Sequence, residues 1–162
     1  MQELSLAKSN FRLTIEKYAP YGIWPFFAYF IFHYTVVIKN GGNGWTTGDW
    51  LINYSAGPIR RGLIGEFILL LSSDLFSLLW LTYTIQVAIY FAIFLIVLVL
   101  YKTQDRTPFW LLILFSPAFL LFPFYDIQGG FRKEIMIFAV FSLFCLFYSK
   151  NNITSLKISI IS

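Results

Sequence analysis

Charge is what this sequence has least of. Only 12% of its 162 residues are Asp, Glu, Lys or Arg, against 58% hydrophobic and 21% aromatic, and an average soluble domain carries about 25% charged residues. Apolar stretches take up nearly all the length and leave no room for a separate soluble catalytic domain. The single cysteine, Cys145, lies inside an apolar run, which excludes an intrachain disulfide and a Cys-rich metal site. The single histidine, His33, has no second His and no acid near it in sequence, so it reads as a packing residue rather than a ligand or proton relay. No strand with a longer glycine-rich loop precedes Gly62 and Gly65, and that pair reads as a close helix contact, not a nucleotide site. The net charge of +4 does not point to nucleic acid either. The 12 basic residues are scattered in ones and twos at the ends of apolar runs, as membrane flanks are.

What the chain does have is hydrophobic runs of membrane-crossing type. The expected fold is an all-α integral membrane domain over 1–162, with spans at about 19–38, 75–100, 108–124 and 135–148. The first is rich in aromatics, and because no small-x-small cleavage site follows it, it is expected to stay as an anchor. The second has 26 residues, about 39 Å of helix, enough to require tilt or protruding ends. The third is interrupted by Pro117, which predicts a kink or a break. A shorter helix at 59–71, begun by Pro58, is too short to span and is expected at the interface within the first outer loop. Phe138, Phe141, Phe144 and Phe147, spaced by three, read as a packing or lipid-facing stripe.

Counting basic residues on alternate sides gives seven (Lys8, Arg12, Lys17, Lys102, Arg106, Lys150, Lys157) against five (Lys39, Arg60, Arg61, Arg132, Lys133), which favours a cytoplasmic N-terminus. Both loops on the other side repeat one formula: an acid, a glycine-containing turn, two adjacent cations, then a second acid. In the first these are Asp49, Gly57, Arg60, Arg61 and Glu66; in the second they are Asp126, Gly129, Gly130, Arg132, Lys133 and Glu134. Charges beside hydrocarbon cost about 2.5–3.5 kcal/mol each unless paired or wet. Snorkelling to headgroups explains the cations but not the acids on the same side. Arginine suits bidentate binding of phosphate oxygens. A carboxylate beside such cations is what glycosyl transfer from a lipid phosphate donor needs: Asp49, or secondly Asp126, deprotonates the acceptor hydroxyl while the cations stabilise the leaving phosphate. No metal motif is present, though Asp49 and Asp126 could share a divalent ion.

The stretch Gly48-Asp49-Trp50-Leu51-Ile52-Asn53-Tyr54-Ser55, continuing through Gly57 and Arg60 to Glu66, resembles the first outer loop of bacterial multi-spanning surface-polysaccharide polymerases of the O-antigen and capsule type. Phe122-Pro123, Tyr125-Asp126 and Phe131-Arg132-Lys133-Glu134 look like a second signature of the same proteins, which are architecturally similar to GT-C glycosyltransferases. The resemblance implies an undecaprenyl-linked sugar donor, chemistry on the outer face of the cytoplasmic membrane, and an N-terminus inside. It also implies roles: Asp49 and Asp126 catalytic; Arg60, Arg61, Arg132 and Lys133 on lipid phosphate; Glu66 and Glu134 orienting. Such proteins usually have ten or more spans against four here, so the chain reads as an N-terminal part. A different class stays open, a small non-enzymatic membrane subunit whose charged loops bind lipid headgroups or a larger membrane partner. An ion or proton pathway through His33 is disfavoured because the other three spans carry no charge.

Overall fold

The two longest helices of this chain, Leu75–Thr103 and Ile135–Ile161, carry no Gly or Pro, the residues that most disfavour a helix interior. A computed structural model describes residues 14–15, 17–55, 57, 62–72, 74–103 and 108–161, with backbone alone for 108 and 150–161. Arg60, Arg61, the start of the helix expected at 59–71, the turn at 104–107 and nearly all of the N-terminal lead-in lie outside the described residues. Among the described residues there is no strand.

A 3-10 turn, Ala19–Gly22, leads into α1, Ile23–Lys39. Pro20 and Pro25 are tolerated because the first turn has no intrahelical partner for its N–H groups. The helix ends on Gly41 (φ 95°) and Gly42 (φ 74°). Their N–H groups donate to Ile38 O at 3.0 Å and Val37 O at 2.9 Å, the paired closure that a left-handed glycine permits. A π-helical turn, Gly44–Gly48, and the short α2, Asp49–Leu51, follow; then come α3, Gly62–Leu71, and α4, Leu75–Thr103.

The segment expected as one span at 108–124 is instead two short helices, α5 (Pro108–Leu114) and α6 (Phe122–Tyr125), joined by turns. The expected interruption is there, and its cause is Pro117, which has no N–H and disfavours helical backbone at the residue before it. The one-turn α7, Ile127–Gly130, precedes α8, Ile135–Ile161, whose helix continues past the 135–148 expected for it. No Gly or Pro stops it there.

Two helices, Ala19–Lys39 and Leu75–Thr103, are long and apolar enough to cross a membrane. α4 is the spine. Leu78, Thr82, Gln86, Tyr90, Ile93, Val97 and Tyr101 form its buried stripe at helical spacing, and its longest seam is with α8. On α8, Ile135, Ser142 and Ser149, seven residues apart, are buried, while Phe138, Phe141, Phe144 and Phe147 point outward. Small residues at that repeat bring two helices close. Between α1 and α4, Phe27, Phe30 and Phe94 pack edge-on or tilted, with ring centroids 5.0–6.0 Å apart, a favourable geometry for aromatic quadrupoles.

α3 lies against the chain that leaves α2. A Cβ on Gly65 would sit 2.0 Å from Ile52 O, and one on Gly62 would sit 2.7 Å from the Tyr54 ring. The glycine pair does mark a close approach, but to the non-helical chain at Ile52 and Tyr54 and not to the neighbouring helix that was expected. At Gly65 the obstacle is backbone, which cannot swing away. Gly65→Ala is therefore expected to destabilise the fold by about 1–3 kcal/mol, read as a lower thermal midpoint in detergent. Leu63→Ala, at an exposed position on the same helix, should leave the midpoint nearly unchanged.

Candidate functional site

The first charged loop is organised by Asn43. Its side-chain oxygen accepts from Trp45 N at 2.9 Å and Thr46 N at 2.8 Å, capping the π-helical turn as short amide side chains do. Thr47 Oγ1 locks the same turn by donating to Asn43 O at 2.6 Å. This turn aims the Thr46 carbonyl at α4 and delivers Asp49 and Trp50 to the interior, both buried.

The second charged loop is organised by Asp126, whose carboxylate accepts from Gly129 N at 2.9 Å and caps α7. Gly130 packs so closely on Pro123 that a Cβ there would lie 2.7 Å from Pro123 Cα. The Gly130 carbonyl accepts from Tyr90 OH. Phe131 then plugs the gap between α1 and α4, fully buried, with its ring stacked on Tyr34 at 3.8 Å and 22°.

Gln86, in the middle of α4 and fully buried, ties both loops to the helices. Its Nε2 donates to Thr46 O at 2.7 Å and to Phe131 O at 2.9 Å, and its Oε1 accepts from Tyr34 OH at 2.5 Å. Trp50 Nε1 donates to the same Phe131 O at 2.7 Å. Three bonds on one amide nearly exhaust its capacity, so each loop is held at a fixed depth on α4. Sequence reasoning passed over Gln86 and Tyr34. The available signal was a lone amide inside an otherwise apolar run, which in such surroundings has to find partners.

The loops also meet directly. Lys133 N donates to Asp49 Oδ2 at 3.3 Å. The Arg132 guanidinium lies over the Trp45 ring at 5.6 Å, a cation–π distance. Arg132 Nε is 3.7 Å from Glu134 Oε2, an ion pair too long for a hydrogen bond; that Nε is buried with no hydrogen-bond partner among the described residues. Asp49, Arg132, Lys133 and Glu134 thus belong to one cluster assembled from both loops. Glu66 braces the first loop from α3, accepting from Tyr54 N at 3.2 Å. Asp126 is exposed and serves as the α7 cap. Arg60 and Arg61 lie outside the described residues. His33 is exposed and lies 4.7 Å from the Tyr29 ring. Among the described residues, no group of three or more His, Cys, Asp or Glu side chains converges as a metal centre would require.

The cluster can do two things chemically. A guanidinium near an indole ring, with a carboxylate close by, still has N–H groups suited to two oxygens of one phosphate. A carboxylate on the adjoining strand of chain can hold or take a proton. Both depend on the loops staying together, and Gln86 is the side chain bonded to both. Gln86→Leu removes its donor from two buried carbonyls, of which Phe131 O keeps the Trp50 indole and Thr46 O keeps only the long contact with the Tyr34 hydroxyl at 3.5 Å. A loss of about 1–3 kcal/mol is expected, together with faster proteolysis of both loops. Thermal unfolding followed by tryptophan fluorescence and limited proteolysis check this; faster cleavage in one loop alone would refute the shared anchor.

No protein-family model, curated protein or solved structure matches this chain.

Proposed function

We propose that the chain is a multi-pass protein of a bacterial cytoplasmic membrane, with its N-terminus inside, and that its joined loops take part in glycosyl transfer from a polyprenyl-(di)phosphate-linked sugar. Membrane residence is supported by the outward faces of the helices. Leu63, Leu70, Phe76 and Ile137 are each at least 70% exposed, and apolar surface on this scale is costly in water and suited to lipid. α8 and the broken α5–α6 segment complete the proposed four spans, with α3 at the interface.

The observation that carries the functional reading is that the Lys133 backbone N–H donates to Asp49, 84 positions away in the other loop, and the Arg132 guanidinium lies near the Trp45 ring of that loop, which brings Asp49 beside the stretch holding Arg132, Lys133 and Glu134. In the proposed reaction, Asp49 takes the proton of an acceptor hydroxyl and the acceptor oxygen attacks the anomeric carbon. The carbon–oxygen bond to phosphate breaks, and the electron pair leaves with the polyprenyl phosphate. Arg132 and Lys133, with Arg60 and Arg61, carry that developing charge, as preorganised cations do in such transfers. Glu134 and Glu66 orient the cations or the acceptor sugar, Asp126 stands as second candidate base, and a divalent ion on the carboxylates is compatible with the chemistry.

One observation favours a second reading, a non-enzymatic membrane subunit that binds lipid headgroups or a larger membrane partner. Asp49 already accepts a backbone N–H from the other loop, and Asp126 caps α7, so both acids have structural work without catalysis.

Complementation of a strain that has lost its surface polymer separates the two. Asp49→Asn keeps an acceptor for Lys133 N but cannot serve as base, and a loss of roughly 10²-fold or more in polymer synthesis is expected. Arg132→Ala should also abolish long polymer. Full polymer length from both variants, inserted at normal levels, would discard the transferase reading. Graded losses, with stable co-purification of a larger membrane protein, would establish the subunit reading.

A further inference from the structure

The end of the helix pair opposite the charged loops holds a cavity of about 560 Å³. It lies between the 3-10 turn that begins α1 and the last turn of α4. Lys17 and Lys102 both line it, together with Tyr18, Tyr21, Tyr101 and, on its apolar wall, Leu98. The Lys17 ammonium lies 5.3 Å from the Tyr18 ring centroid, and the Lys102 ammonium 5.2 Å from that of Tyr21. Both are cation–π distances, so each lysine has a tyrosine ring beside it among the cavity's lining residues. Tyr101, 2% exposed, closes the inner side. Among the described residues no carboxylate lines the cavity and neither lysine forms an ion pair with one.

Two cations gathered at one cavity, without a carboxylate among its described lining, make a site for an anion. The lining narrows the class. Tyrosine hydroxyls donate to oxyanions, and ammonium groups act as point charges that suit phosphate. Leu98 belongs to the apolar face of α4, so a ligand with a hydrocarbon part can lie along that helix while its head meets the lysines. We propose that this cavity binds a phosphate ester anion, the headgroup of an anionic glycerophospholipid, at the N-terminal end of α1. This inference rests on the membrane residence proposed above and is independent of any chemistry at the charged loops.

Each lysine near such a headgroup contributes about fivefold to the preference for an anionic over a zwitterionic lipid, and the pair about 30-fold. The test uses the full chain in mixed micelles of phosphatidylglycerol and phosphatidylcholine, with the retained lipids counted by native mass spectrometry. Wild type is expected to retain one phosphatidylglycerol preferentially. Lys17→Gln with Lys102→Gln should lower that preference about 30-fold, Lys17→Arg with Lys102→Arg should keep most of it, and Lys39→Gln, at the other end of α1, should leave it unchanged. Helicity by circular dichroism confirms that each variant is folded. Displacement of the lipid by millimolar inorganic phosphate would assign recognition to the phosphate alone, whereas displacement only by other anionic lipids would assign it to the lipid. An unchanged preference in the double Gln variant overturns the site. Extraction of the chain from membranes by alkaline carbonate overturns membrane residence and the lipid with it; a carbonate-resistant chain with no lipid preference overturns the site alone.

Discussion

One buried amide sets the distance between the two charged loops. Gln86 sits where α4 is otherwise apolar, and its three hydrogen bonds run to Thr46 O in the first loop, Phe131 O in the second and Tyr34 on α1. A polar side chain in such surroundings is unfavourable until its partners arrive. The partners are two backbone carbonyls and the Tyr34 hydroxyl, each of which would lose a buried hydrogen bond without it. Helix pair and loops therefore form together, and the loops have no independent depth or register.

Around that amide the aromatics do the shaping. Phe131 enters between Tyr34, Tyr90 and Phe30, and Trp50 places its indole N–H on the same carbonyl that Gln86 holds. The abundance of rings at this level is thus partly interior packing, not only the interfacial anchoring that tryptophan and tyrosine often provide. Arg132 resting on Trp45 extends the same pattern to the rim, where a ring fixes the position of a cation. The consequence for function is rigidity: the cluster of Asp49, Arg132, Lys133 and Glu134 is supported from beneath by buried groups.

Much of the helical layout was legible beforehand. The apolar runs at 19–38 and 75–100 correspond to the two helices long and apolar enough to cross a membrane, the break at Pro117 was expected from its missing N–H, and the Gly62 and Gly65 pair marked a close approach that the packing against Ile52 and Tyr54 makes physical. The segment at 108–124 was harder, since hydropathy measures apolar content and is blind to where a chain turns. The charged residues stood out as a group because charge is so scarce. Their individual partners did not, because a hydrogen bond from Lys133 to Asp49 joins positions whose spacing carries no periodicity.

The sequence by itself determined which segments are helical and apolar and where the few charges lie, because these depend on local composition and on Gly and Pro within a few residues. Only the tertiary structure decided that Asp49 meets the second loop, that Asp126 is taken up as a cap, that Gln86 bonds both loops, and that Lys17 and Lys102 share one cavity. Those outcomes depend on the geometry by which α1, α4 and α8 pack, and that geometry is set by side chains distant in sequence that satisfy one another in the interior.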